Sequence, residues 1–172
     1  ADGAQAAAAT RAIAFVDGPV YMRLSRPKEP TVYTVEKPFV IGKADVVRPG
    51  MDLALIAYGG MVGYSLKAAD LLAADGIEAM VVNMSTVKPL DRQAVIDAAR
   101  ACGAVMTVEE HQINGALGSA VAEVLAEESL GVRFKRHGLK NVFTTAGPYD
   151  EMLAYYELDP QGIASNARQL LK

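Results

Sequence analysis

From about residue 40 onward, short apolar runs alternate with longer stretches of helical period. Lys43 to Val47 predicts a short edge strand, closed by Arg48-Pro49-Gly50. Asp52 to Tyr58 is an apolar run that stops at Gly59-Gly60, and Glu78 to Asn83 and Ala104 to Glu109 repeat the pattern. Val132 to Arg136 predicts a further strand. Between and after these runs, helices are predicted over Val62 to Ala74, Asp91 to about Ala101, Gly115 to Glu127, Pro148 to Tyr156 and Asp159 to Leu171. Asp91 is a good N-cap, and Asp75-Gly76 and Cys102-Gly103 are stops. Strands that are apolar almost throughout belong to a sheet covered on both faces. Their alternation with helices implies βαβ units with right-handed crossovers. The expected fold is therefore α/β: a three-layer sandwich around a mostly parallel sheet of about five strands.

The first 39 residues have a different rhythm. The alanine-rich stretch from Gln5 to Val16 predicts a helix, stopped by Asp17-Gly18-Pro19. Val20 to Leu24 reads as a short strand. Pro27, Pro30 and Pro38 then mark a stiff linker, because proline fixes φ. The expected division is residues 1–26, a linker at 27–39, and a domain over 40–172.

Composition narrows the classes. The chain has 172 residues, 51% hydrophobic and 22% charged, which suits a folded domain with a real core and argues against intrinsic disorder. Its net charge of −3 provides no general basic field for a nucleic-acid backbone. One cysteine excludes an internal disulfide or a cysteine-based zinc cluster, and with two histidines a metal site would lean on carboxylates. No apolar stretch approaches the ~20 residues of a membrane span. The opening ADGAQ lacks both an initiator Met and the basic head of a signal peptide, so the chain is expected to begin inside a larger reading frame, in a cytoplasmic, reducing setting.

Several residues invite a chemical reading. The turn Tyr58-Gly59-Gly60-Met61-Val62-Gly63 joins a strand to a helix, where free N–H groups attract anions; its spacing is not that of a dinucleotide loop, and a plain tight turn is the simpler reading. Glu109-Glu110-His111 closes a strand, where it would serve acid–base chemistry, a polar sheet edge or a subunit contact. His137 invites the same reading more weakly, and Cys102 reads as a small buried filler. Arg23 and Arg26 flank a strand end, suited either to bidentate capture of a phosphate or carboxylate or to a salt bridge between domains. No Ser–His–Asp set, Walker loop or HExxH motif is visible.

Four segments, in order, carry a family resemblance: GPVYMRLSR at 18–26, VNMSTVKPLD at 82–91, VEEH at 108–111 with GALGSAVAEVL at 115–125, and GPYDE at 147–151. They resemble transketolase-like proteins, and most of all separately encoded C-terminal transketolase subunits. Ala116 stands where that family usually has a second glycine. The resemblance implies that residues 1–26 are the remnant of a pyrimidine-binding domain and 40–172 a transketolase C-terminal domain. It implies two-carbon ketol transfer between sugar phosphates in a complete enzyme with thiamine diphosphate and Mg²⁺, inactive without the missing domains. The metal–diphosphate motif, the activating glutamate and the catalytic histidines of the family belong upstream. The one site residue it places on this chain is Arg26, toward a substrate phosphate. The implied partners are an N-terminal section or subunit, a second copy in a homodimer and the sugar phosphate, with no nucleic acid and no membrane. The rival readings are a dimer-stabilising or partner-docking domain of a 1-deoxyxylulose-5-phosphate synthase or 2-oxo acid dehydrogenase β subunit, and an independent nucleotide or anion binder using Gly59-Gly60.

Overall fold

The computed structural model describes residues 1–35 and 37–172. Helix α1 (Gly3–Ile13) comes first. The strands are β1 (Asp45–Arg48), β2 (Leu53–Ala57), β3 (Ala79–Asn83), β4 (Ala104–Gln112) and β5 (Arg133–Leu139). Between and after them come α2 (Met61–Ala73), α3 (Arg92–Cys102), α4 (Leu117–Glu127), α5 (Tyr149–Tyr155) and α6 (Pro160–Leu171). The five strands form one sheet in the order β1-β3-β2-β4-β5. Strands β3, β2, β4 and β5 pair in parallel, and β1 pairs antiparallel with β3 at one edge.

The sheet is covered on both faces, as the apolar runs require. All five residues of β2 are fully buried. Leu53, Leu55 and Ala57 face one layer with α2 and α6, where they meet Val62, Leu72, Ile163 and Ala167. Ala54 and Ile56 face the other with α3 and α4, where they meet Val95, Ala99, Leu117 and Val121. A strand's period of two thus splits one run between two cores. Among the described residues, no helix is long and apolar enough to cross a membrane.

Three expectations need correction. Val20 to Leu24 is not a strand: it runs as irregular chain, with Tyr21 88% exposed, because no strand of the described residues lies beside it to complete a ladder. Strand β4 continues past Glu109 to Gln112, where it pairs with Leu139 after a register irregularity. The first helix also ends at Ile13, three residues before Val16.

Segment 32–33 is tied to the sheet by polar contacts. Asp2 caps α1 through the Gln5 N–H, and its other oxygen accepts from the N–H groups of Val32 and Tyr33 at 2.8 and 2.7 Å. The Tyr33 hydroxyl donates to Asp45 at 3.0 Å, and buried Asn83 donates to both Tyr33 and Gln5. These bonds connect α1, the linker, β1 and β3.

Asp91 caps α3 as expected, and it does more. One oxygen accepts from the Ala94 N–H at 3.3 Å and the other from the Ala44 N–H at 3.0 Å. Replacing Asp91 with Ala therefore strands two backbone donors, one of them in the segment leading into β1. We expect a loss of about 1–3 kcal/mol in urea denaturation, with Asp91→Asn recovering part of it because an amide has one accepting oxygen.

Candidate functional site

The carboxyl ends of β2 and β4 gather the polar groups that the sheet interior excludes. Glu109, near the end of β4, is fully buried. Its two oxygens accept from the N–H groups of Leu117 and Gly118 at 3.1 and 2.9 Å. These residues open α4, whose N-cap, Ala116, offers no side-chain oxygen. Glu109 thus supplies from a neighbouring strand the cap that the helix lacks, and a carboxylate suits that helix end. Ala116 has φ −115° and ψ −151°, extended backbone that does not demand a glycine.

Tyr58, just beyond β2, hydrogen-bonds the Glu109 carboxylate, and Arg23 lies against both the Tyr58 hydroxyl and the Glu110 carbonyl, the latter at 3.4 and 3.5 Å. Burial raises the Tyr58 hydroxyl to about 12, with the Glu109 charge adding to it. Burial also pushes the Glu109 carboxyl above its ordinary value, opposed by the two N–H bonds, by His111 and by Tyr58. Glu110 accepts from the Tyr149 hydroxyl at 3.0 Å, and burial with the Glu110 charge pushes Tyr149 up. His111 is exposed, its Nδ1 3.0 Å from the Gln112 carbonyl. Glu109, Glu110 and His111 therefore occupy three environments and do not converge as an acid–base set. The polar-edge reading fails for Glu109, which is interior.

The Gly59-Gly60 turn is a tight strand-to-helix turn, and the chain itself occupies it. A Cβ on Gly60 would meet the Glu29 carboxylate at 2.0 Å, and one on Gly63 would meet Pro30 at 2.7 Å. These glycines are small so that the linker can cross the N-terminus of α2. The Glu29 oxygens are buried with no hydrogen-bond partner among the described residues, in the place an external anion would take. Sequence reasoning missed Glu29, Tyr58 and Tyr149. For Glu29 there was a signal: glycines at i and i+3 on one helix face mark a close approach.

The two arginines differ. Arg23 reaches across to β4, as a residue at a seam would. Arg26 is exposed at a bend and has no ion pair or hydrogen bond among the described residues. His137 is buried, its Nε2 donates to the Glu157 carbonyl at 2.8 Å, and burial holds its pKa down. Cys102 is half-buried and burial raises its thiol, which fits a filler rather than a nucleophile. Among the described residues, no group of three or more His, Cys, Asp or Glu is placed to hold a metal ion.

Residues 42–163 match the family model "Transketolase, C-terminal domain". The chain is 39% identical over 154 residues to an apulose-4-phosphate transketolase subunit from Actinobacillus succinogenes, covering 89% of this chain and 50% of that one. It is 40% identical over 162 residues to 1-deoxy-D-xylulose-5-phosphate synthase of Thermomicrobium roseum, covering 93% and 26%. A solved structure described as a split-gene transketolase, an inactive tetramer, superposes with a TM-score of 0.94 at 39% identity, covering 99% of this chain and 56% of that one. The chain thus spans about half the length of its split-gene relatives.

Two outcomes follow from this geometry. Gly63→Ala should cost about 1–3 kcal/mol by overpacking against the Pro30 ring and its Cβ, and a double-mutant cycle with Pro30→Gly, which removes that Cβ, should show a favourable coupling. A raised carboxyl binds its proton more readily in the folded state, so its stabilising contribution is full below the ordinary pKa of about 4.5 and is lost as pH rises through the folded value. The stability of the native protein relative to Glu109→Gln, followed by urea denaturation, should therefore fall as pH rises above about 4.5.

Proposed function

The chain belongs to the transketolase C-terminal domain family, and from that premise we propose that it is the C-terminal part of a thiamine diphosphate-dependent transketolase. In this reading the complete enzyme transfers a two-carbon ketol unit between sugar phosphates. Thiamine diphosphate with Mg²⁺ supplies the carbanion chemistry, and the groups that hold it lie on an N-terminal section or subunit. The supporting observation is the match to split transketolases along almost the whole chain, with about half of their length unaccounted for. Surface character agrees. Phe15 and Tyr21, 91% and 88% exposed, lie on the irregular segment after α1 and suit cover by another part of the enzyme or a second copy in a homodimer.

This chain's own contribution in that enzyme is placement and charge. Arg23 ties residues 18–26 to the end of β4, and Glu29 and Pro30 pin the next residues against α2. Between these anchors stands Arg26, exposed and unpartnered among the described residues, a guanidinium available to a phosphate dianion. Its planar fork would orient a sugar phosphate through two parallel N–H bonds.

The synthase match favours one rival: a domain that steadies the dimer of a 1-deoxyxylulose-5-phosphate synthase. Co-expression of this chain with the N-terminal section from the same genome separates the two by product. We expect ketol transfer only when both sections are present. Arg26→Ala should lower kcat/KM about 10- to 200-fold for a phosphorylated acceptor, the loss of a charge-assisted bond of about 1.5–3 kcal/mol. Arg26→Lys should fall between, and an unphosphorylated acceptor should respond little. Equal losses for both acceptors would make Arg26 a structural residue.

A further inference from the structure

The edge of the sheet at β5 carries a second polar feature, whose lining does not include Arg26. Among the described residues strand β5 pairs only with β4, and the segment RFKRHGLK at 133–140 has three Lys or Arg residues before its final lysine, in a chain of net charge −3. Beside it lies a groove of about 270 Å³, walled by Lys135, Lys140, Leu139, Val142, Tyr155 and Tyr156. Charged side chains on an edge strand deter pairing with other sheets. That role explains basic residues along an edge. It does not explain why they line a concavity shared with two tyrosines.

The groove has a cationic end and an aromatic end. Neither Lys135 nor Lys140 has an ion-pair partner among the described residues; Lys135 makes only a 3.4 Å contact to Gln169. The two ammonium groups are close enough that Lys140 helps burial lower the Lys135 pKa, with Glu157 opposing. Arg136 contributes its backbone, because its guanidinium is bonded to the Ile113 carbonyl on the far face at 3.0 Å. Glu157 also lines the groove, and its carboxylate accepts from Asn166 at 3.2 Å. At the other end, Tyr155 and Tyr156 stand edge to face with ring centroids 4.9 Å apart, and Tyr155 is 70% exposed.

We propose that this groove is a binding site for a small phosphate monoester carrying a flat ring. Lys135 and Lys140 act as two point charges on the dianion. Tyr155 and Val142 receive the ring. Two ammonium groups without a guanidinium fork suit a tetrahedral dianion better than a planar carboxylate. The volume lies just below the usual range for drug-sized ligands, which favours a compact molecule.

Phenyl phosphate is the probe, titrated calorimetrically at low ionic strength into the assembled protein carrying Arg26→Ala, so that no phosphate contact at Arg26 contributes. We expect saturable binding of one molecule per chain. Lys135→Ala with Lys140→Ala should weaken it at least about 10-fold. Tyr155→Ala should weaken phenyl phosphate about 2- to 10-fold and leave inorganic phosphate unchanged. Absence of saturable binding, or binding indifferent to the lysine pair, overturns the site. Equal affinity for inorganic and phenyl phosphate overturns the ring-binding half.

Discussion

The burial of β2 on both faces governs where everything else can go. With every residue of Leu53–Ala57 inaccessible, that strand can hold no polar side chain of its own. A buried charge costs several kcal/mol unless it is bonded, so ionisable groups are pushed to the strand ends. Glu109 shows how narrow the permitted exception is. It sits inside because two helix N–H groups and a tyrosine hydroxyl meet it there. The same constraint leaves the carboxyl rim as the place where Arg23, Tyr58 and Glu110 gather.

That rim is a junction of segments as well as a chemical surface. The Arg23–Glu110 contact, the Asp2 bonds to Val32 and Tyr33, and the Asn83 network hold the first 35 residues against the sheet. Individually these are modest, partly exposed interactions. Their value lies in number and spacing, since each shortens the span over which the irregular chain is free to move.

Much of this was legible from residues alone, for identifiable reasons. Doubly covered strands read as unbroken apolar runs, so β2, β3 and β4 stood out and their parallel pairing followed. Asp91 and Gly103 announced the limits of α3, because a cap oxygen and a residue at φ +64° have specific side-chain requirements. Val20 to Leu24 misled for the opposite reason. An apolar run does not by itself say that a strand of the same chain lies beside it. Glu109 misled because a charge after an apolar run looks like the start of solvent, and no local pattern says that a helix eight residues on will turn its N–H groups back toward it. Residue chemistry left Arg26 open between a phosphate or carboxylate contact and a salt bridge between domains, and only the family resemblance pointed it toward a substrate phosphate. Geometry adds that its guanidinium is unengaged among the described residues.

The seating of Glu29 and Pro30 over Gly60 and Gly63 makes the linker a ruler. Only Pro27 and Lys28 separate Arg26 from that seat. One inserted residue would lengthen the interval by up to about 3.5 Å, more than a hydrogen bond tolerates. Elsewhere in a proline-rich connection length can drift cheaply; here it sets how far a guanidinium stands from the sheet. A turn that other α/β proteins leave open for a ligand has become the zero mark of that scale.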